Sequence, residues 1–288
     1  KESSAASDVY KRQIVCCVFL CYNTKEVLKM VLILYGFVVF LATLLGSFVG
    51  LGGGVIIKPV LDVINAHSLT EISFFSSCAV FAMSITSTTR HIIKKTPIKP
   101  SIVLLVALGS VGGGLLGNYL FNYALSVSST PNTVRGIQSA ILAVFLVCVI
   151  IFVSGNFKTF NVKNPIAILL SGLLLGTAAA FLGIGGGPIN VAFLTLMFSF
   201  TMRDAAVYSV AVIFFSQCAN IISTYIKTGF SGFDMKVLLV IIPVAVIGGF
   251  IGSILNRKCN EKAIKVTFTI AVSLVAALSL YNAVMSFI

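Results

Sequence analysis

The sequence predicts an all-α polytopic membrane protein, and three observations support this fold class. Hydrophobic residues make up 58% of the 288 residues, charged residues make up 10%, and the mean hydropathy is +1.08. Soluble domains carry about a quarter charged residues, so this composition is typical of a membrane protein. Long apolar segments alternate with short polar or basic connections. A run of three glycines interrupts two of these segments, which predicts broken or re-entrant helices inside the membrane.

The first residues of the chain are set apart from the predicted fold. Residues 1–13 are polar, low in complexity and begin without Met, which is typical of a non-native remnant. Residues 14–30 form an N-terminal segment whose apolar part is too short for a crossing helix of about 20 residues. The seven cysteines show neither CxxC pairing nor metal-ligand spacing, so no disulfide framework, metal site or cofactor is predicted.

Eight apolar segments follow, and polar or basic connections separate them. Their predicted bounds are Val31–Ile64, Ile72–Ile93, Ile102–Tyr123, Val134–Val153, Pro165–Phe200, Ala205–Ile226, Val237–Leu255 and Ile264–Ile288. The first and fifth segments contain the glycine runs. Residues 31–155 are predicted to form one repeat of four segments, residues 156–164 a linker, and residues 165–288 a second repeat.

The two halves resemble each other at matching positions. The glycine run GLGGG of the first half recurs as GIGGG in the second, and the pair Ile93-Lys94 recurs as Ile226-Lys227 at the same spacing. In the third segment of each half, GGGLLGNYL corresponds to IGGFIGSIL, with a slightly longer spacing that one small loop insertion explains. We expect the close GxxxG spacings of these segments to serve helix packing. The common order of the matches predicts a 4+4 duplication.

Two membrane topologies fit the segment lengths. The glycine-containing segments are 34 and 36 residues long, too long for one crossing and short for two. Each either crosses as a broken helix or returns as a re-entrant hairpin with glycines at its tip. Two hairpins place the basic clusters Arg90–Lys99 and Arg257–Lys265 on one face, as the positive-inside rule favours. We therefore favour three crossings and a hairpin per repeat, which makes the repeats inverted.

The chain resembles a known family. The stretch GSFVGLGGGVIIKPVLD, the 4+4 duplication and the second GxGGG run are similar to the sulfite exporter TauE/SafE family of the toluenesulfonate uptake permease group. The resemblance extends from Val31 to about Asn282. In the second motif Pro188 directly follows the glycines, and Ala192 stands at the position equivalent to Pro59 of the first. The resemblance implies a membrane carrier of sulfite, sulfonates or related small organic anions.

The glycine runs are the predicted anion-binding site. Glycine lacks a side chain, so backbone N–H groups at a helix break can approach a ligand directly. A half-helix that begins after the break presents unpaired N–H groups and a partial positive charge to an anion. Pro188 suits the first turn of such a half-helix, where its missing N–H costs nothing. The backbone site comprises Gly52, Gly53, Gly54, Gly185, Gly186 and Gly187.

Side chains of the second and sixth segments are predicted to complete the site. Ser84 and Ser87 lie three residues apart on one helical face, and Gln217 and Asn220 repeat this spacing at the equivalent positions of the second repeat. Neutral donors suit an anion that must bind and then leave. The alternative role of such residues is hydrogen bonding to their own helix backbone or between helices.

Few charged or long polar residues lie elsewhere within the spans. Asn190, three residues after the second glycine run, is a further candidate. Lys58 either attracts an anion or extends to the membrane interface. Arg90 and His91 are expected to anchor the end of their segment at the basic face. No carboxylate lies deep in any span, so the sequence does not support a buried proton relay.

These features predict a transporter and not an enzyme. His67 and His91 lie in or beside loops without a carboxylate constellation, so no catalytic residues are predicted. The expected partners are a small anion and the lipid bilayer, and not nucleic acid, because the cations lie between apolar segments. We expect a multi-pass carrier in the plasma membrane that moves sulfite, a sulfonate or a related sulfur-containing organic anion by alternating access. An anion channel or a carboxylate carrier of the same architecture is the alternative.

Overall fold

The computed structural model of the chain describes residues 29–64, 66–95, 99–127, 131–155, 158–182, 186–229 and 232–285. These residues form ten helices and no strand. The helices are α1 Lys29–Val49, α2 Gly54–Ile64, α3 Leu69–Ile93, α4 Pro100–Val127, α5 Pro131–Ser154, α6 Pro165–Phe181, α7 Gly187–Phe198, α8 Met202–Thr228, α9 Met235–Lys258 and α10 Glu261–Met285. The predicted remnant 1–13, nearly all of the segment 14–30, and Gly185 lie outside the described residues.

Seven of the described helices are long and apolar enough to cross a membrane, namely α1, α3, α4, α5, α8, α9 and α10. The other three are shorter, with 11 residues in α2, 17 in α6 and 12 in α7. Large apolar side chains cover the outer surface of the bundle; Leu239, for example, is 77% exposed. Because water would penalise such a surface and lipid does not, the chain is a multi-pass membrane protein.

Polar caps mark where two of the long helices begin. Ser68 caps α3 in a capping box, since its backbone N–H donates to Glu71 Oε2 at 3.0 Å while its hydroxyl accepts from the Glu71 N–H. Thr201 caps α8 by accepting from the Asp204 N–H at 3.1 Å. These residues satisfy N–H groups that a helix start leaves unpaired.

The glycine runs fall where the first and fifth apolar segments divide into two helices. Between α1 and α2, Gly50, Gly52 and Gly53 have φ values of 83°, 77° and 72°. Before α7, Gly186 has a φ of 89°. Residues with a side chain rarely adopt this left-handed region, so a substitution at these positions would strain the backbone at the break. Pro188 lies in the first turn of α7, as predicted.

Two glycine-rich helix pairs pack closely, and each runs parallel. A Cβ at Gly109 would overlap Leu169, and one at Gly113 would overlap the carbonyl oxygen of Leu173. The contacts advance in the same direction along both helices, so α4 and α6 run parallel. In the second pair, Gly248 of α9 lies against Phe40 and Thr43, and Gly252 against Leu44 and Ser47 of α1. Small residues allow this backbone contact inside a membrane, where helices gain little from hydrophobic burial.

Candidate anion-binding cavity

A cavity of about 230 Å³ lies beside the two helix breaks, between α2, α3, α4, α6, α7 and α8. Gly54, the first residue of α2, and Gly186, which precedes α7, both line it. The polar side chains in its wall are Lys58, Ser73, Ser76, Ser77, Ser110, Asn118, Asn190, Ser216, Gln217, Asn220 and Ser223. The remaining lining residues are glycine or apolar, so Lys58 supplies the charge among the described residues of the wall.

Two helix N-termini contribute to the cavity wall. The start of α2 lies beside α3, since a Cβ at Gly54 would be 3.4 Å from Ser76 Oγ. At the start of α7 the Asn190 N–H donates to the carbonyl oxygen of Gly186 at 2.8 Å, and the Asn190 side chain lies over Gly186. Helix N-termini carry a partial positive charge, so both ends favour an anion in the cavity.

The sixth predicted segment, which is α8, contributes one polar face. Ser216, Gln217, Asn220 and Ser223 follow one another along about two turns of the helix and line the cavity. Gln217 is buried and Asn220 is exposed. Ser216 Oγ lies 3.2 Å from Ser110 Oγ, which joins α8 to α4 at the wall.

The cavity collects about half of the residues that the sequence singled out. Of the backbone positions, Gly52, Gly53, Gly187 and Pro188 lie at the breaks but do not line it. Gly185 is outside the described residues. The predicted residues that do line the cavity are Gly54, Lys58, Gly186, Asn190, Gln217 and Asn220.

Ser84 and Ser87 lie away from this cavity, although they match Gln217 and Asn220 in sequence. Both are fully buried. The Ser84 hydroxyl donates to the Phe81 carbonyl oxygen of its own helix at 2.8 Å. Ser87 Oγ lies 2.9 Å from Ser47 Oγ of α1. The Ser84 bond stays within its own helix and the Ser87 contact joins two helices, which are the two alternative roles that the sequence allows.

The contribution of α4 was not predicted from the sequence. Ser110, Gly114 and Asn118 recur every fourth residue along α4 and line the cavity together. Ser73 of α3 adds a polar residue one turn from Ser76 and Ser77. The four-residue spacing of small and polar residues in α4 is the signal that could have identified this face.

Among the residues that the structure describes, no histidine, cysteine or acidic side chain lines the cavity. Within the described part of the chain, no three of them come close enough to hold a metal ion. The described wall offers hydrogen-bond donors, one lysine and two helix N-termini, which are groups that bind negative charge.

Apolar crossing helices around a polar cavity at two helix breaks define a membrane protein of the transporter class. The sequence profile of the family described as Sulfite exporter TauE/SafE matches residues 35–279 of the chain. The chain belongs to this family.

Two relatives carry names of the same kind. The "Probable membrane transporter protein YunE" of Bacillus subtilis (strain 168) is 24% identical over 271 residues, covering 85% of this chain and 96% of that protein. The "Probable membrane transporter protein MJ0441" of Methanocaldococcus jannaschii is 26% identical over 256 residues, covering 82% of this chain and 89% of that protein. No solved structure matches the chain at a significant level. The family and the two relatives place the chain among transporters.

Proposed function

We propose that this protein carries a small anion, either sulfite, a sulfonate or a related sulfur-containing organic anion, across the membrane by alternating access. The proposed binding site is the cavity beside the two helix breaks. The observation that carries the proposal is the composition of its wall, whose described residues combine Lys58, two helix N-termini and neutral donors and include no aspartate or glutamate. Lysine, helix N-termini and neutral donors each favour negative charge.

The size of the cavity supports a small solute. Pockets for drug-sized ligands span about 300–1,000 Å³. The present cavity is smaller, at about 230 Å³, which suits an anion of a few heavy atoms. Neutral donors such as Gln217 and Asn190 hold an anion less tightly than a second cation would, so the anion can leave again.

We further propose that the two halves are a duplication, with α1–α5 equivalent to α6–α10. The helix packing supports this equivalence. When the glycine runs of the two halves are aligned, the parallel pair α4 and α6 corresponds to the pair α9 and α1, and both pairs meet through glycines, such as Gly113 and Gly248. A carrier built from two related halves around one site is a common transporter plan.

The duplication is proposed to be inverted, with α1–α2 and α6–α7 as re-entrant hairpins. Nδ1 of His67, which follows α2, is hydrogen-bonded at 3.0 Å to the hydroxyl of Tyr35 near the start of α1. Phe160, which precedes α6, donates its N–H to Leu196 near the end of α7 at 2.7 Å. These contacts support hairpins that return to the face they entered. Three crossing helices then remain in each half. Because three is an odd number, the second half begins on the opposite face of the membrane and is inverted relative to the first.

In the inverted arrangement, the basic clusters Arg90–Lys99 and Arg257–Lys265 lie on the same face of the membrane. The side chain of Arg203, at the start of α8, donates to the carbonyl oxygen of Cys259 at 2.5 Å, after the end of α9. The backbone N–H of Lys99, before α4, donates to the hydroxyl of Tyr208, also on α8, at 2.6 Å. By the positive-inside rule this basic face is cytoplasmic, and the cavity then lies toward the opposite face.

The proposal is tested by thermal unfolding of the purified protein with a panel of anions. The panel is sulfite, methanesulfonate, taurine, acetate and chloride. Sulfite or a sulfonate is expected to raise the unfolding temperature saturably, since ligand at 100 times its Kd stabilises by about 2.7 kcal/mol. Counterflow into proteoliposomes then separates a carrier from a channel, because only a carrier exchanges labelled for unlabelled anion against the net gradient. Absence of stabilisation by every anion on the panel would contradict the proposal.

A further inference from the structure

Three residues that line the cavity come from three helices of the bundle, and their counterparts lie in the opposite half of the chain. Aligning the glycine runs pairs α1–α3 with α6–α8, and aligning Gly113 with Gly248 pairs α4 with α9. In this alignment, the counterparts of the cavity residues Gly114, Ala180 and Asn220 are Gly249, Ser47 and Ser87. The first three surround open space, and the second three touch one another.

The contact between the counterparts is a buried, hydrogen-bonded seal. Ser47 Oγ lies 2.9 Å from Ser87 Oγ and 2.9 Å from the carbonyl oxygen of Gly249. Ser47 is 2% exposed and Ser87 is 0% exposed. One small hydroxyl therefore joins α3 to the packed pair α1 and α9. At the equivalent level of the packed pair α6 and α4, Asn220 of α8 lines the cavity together with Ala180 and Gly114.

A second contact lies one turn further along α3. The guanidinium carbon of Arg90 is 4.4 Å from the centroid of the Phe250 ring, which follows Gly249 on α9. Arg90 Nε is buried and has no hydrogen-bond partner among the described residues. The counterparts of this pair, Ser223 and Leu115, again line the open cavity. Arg90 is therefore held on a ring face.

We infer that the contact of Ser47 and Ser87 with Gly249, together with Arg90 resting on Phe250, is the closed gate of the transport pathway. This inference rests on the proposed function and on the duplication. In inverted repeats, alternating access exchanges the conformations of the two halves. The gate therefore opens as the cavity closes, and Ser84 and Ser87 then line the site from the basic face.

Arg90 gives this gate a sensitivity to anions. A cation on a ring face is held less strongly than a cation that is paired with an anion and hydrogen-bonded to it. An anion that arrives from the basic face offers the guanidinium this stronger partner, including one for the unsatisfied Nε. Arg90 then leaves Phe250 for the anion, which releases α9 from α3 at the moment the solute is present.

The gate is tested by the labelling rate of Ser84→Cys with a membrane-impermeant thiol reagent added from the basic face. The seven native cysteines are first replaced. Ser84 bonds only within its own helix among the described contacts, so a cysteine there leaves the seal intact. Phe250→Leu is the gate variant, and because Phe250 is 47% exposed the change leaves the core undisturbed. Arg257→Gln, an exposed arginine at the same end of α9, is the matched control.

Phe250→Leu is expected to accelerate labelling about 2- to 30-fold, the range that a lost cation–π contact allows. It is also expected to slow labelling of Ser223→Cys from the opposite face. Ser47→Ala, which removes the seal, should act in the same direction, and Arg257→Gln should leave both rates unchanged. Unchanged rates in both gate variants, or equal acceleration by Arg257→Gln, would overturn the gate.

Thermal stabilisation by sulfite is measured in the same proteins, so that the two proposals fail separately. Labelling reports the conformation whether or not an anion is transported. Unchanged labelling with intact anion stabilisation contradicts the gate alone. Accelerated labelling without stabilisation by any anion supports the gate and contradicts the proposed solute.

Discussion

The carbonyl oxygen of Leu51 lies where a Cβ of Gly187 would be. Leu51 belongs to the break between α1 and α2, and Gly187 begins α7 after the second break. The adjacent Gly50 meets the backbone of Ala206 on α8 in the same close manner. The two interruptions therefore touch in the middle of the bundle, and glycine is the residue that permits the contact.

Gly187→Ala is expected to separate the two breaks. The added methyl group would overlap the Leu51 carbonyl, and overpacking of this kind costs about 1–3 kcal/mol. We expect a lower unfolding temperature and at least about a tenfold loss of anion uptake. Gly232→Ala is the control, because a Cβ there meets nothing within 4 Å. Equal stability and uptake in the two variants would show that the contact between the breaks is dispensable.

Gly113→Ala and Gly112→Ala are adjacent substitutions with opposite expected effects. A Cβ at Gly113 would overlap the carbonyl oxygen of Leu173 on α6, whereas one at Gly112 meets nothing within 4 Å. The first should destabilise by about 1–3 kcal/mol through overpacking. The second should be neutral or stabilise by up to about 1 kcal/mol, because alanine favours a helix interior. Thermal unfolding in detergent measures both, and a loss of stability at Gly112 alone would refute the α4–α6 packing.

Lys58→Gln is expected to weaken anion binding in the cavity. A hydrogen bond to a charged group contributes about 1.5–3 kcal/mol, so the Kd should rise by about 10- to 150-fold. Lys58→Arg keeps the charge and should lose less affinity. Lys236→Gln removes an exposed lysine at the start of α9 and should leave the Kd unchanged. If Lys58→Gln binds as the parent does, Lys58 serves the interface and not the anion.

Gln217→Ala and Asn220→Ala test the polar face of α8. Each removes a neutral donor from the cavity wall, and one hydrogen bond is worth about 0.5–1.5 kcal/mol, or about 2- to 13-fold in affinity. Uptake should fall while the amount of folded protein in the membrane stays the same. Ile222→Ala, a lipid-facing change on the same helix, is the control. Unchanged uptake in both donor variants would remove this face from the site.

The helices and their interruptions could be read from the sequence because each rests on local physical chemistry. The glycine runs marked where α2 and α7 begin, and Pro188 marked the first turn of α7. The predicted boundaries are less accurate: the sequence predicts a fourth segment that begins at Val134, whereas α5 begins at Pro131. Hydropathy does not identify helix ends, because a helix extends beyond the apolar part into polar residues.

The composition of the cavity was only half predictable, because it depends on which faces of the helices are apart. The proposed duplication makes Ser84 and Gln217 equivalent, yet Ser84 is fully buried and Gln217 lines the cavity. No local sequence pattern tells which of the two helices, α3 or α8, turns its polar face to the cavity. Ser110 and Asn118 were missed for a related reason, since the packing of α4 against α6 orients them.

Equilibrium binding of radiolabelled sulfite to the purified protein, with methanesulfonate as competitor, measures directly whether the cavity holds an anion. We expect saturable binding of about one anion per chain that Lys58→Gln and Gln217→Ala weaken and Lys236→Gln leaves unchanged. No saturable binding, or binding that is equal in all four proteins, would contradict an anion site in the cavity between the two helix breaks.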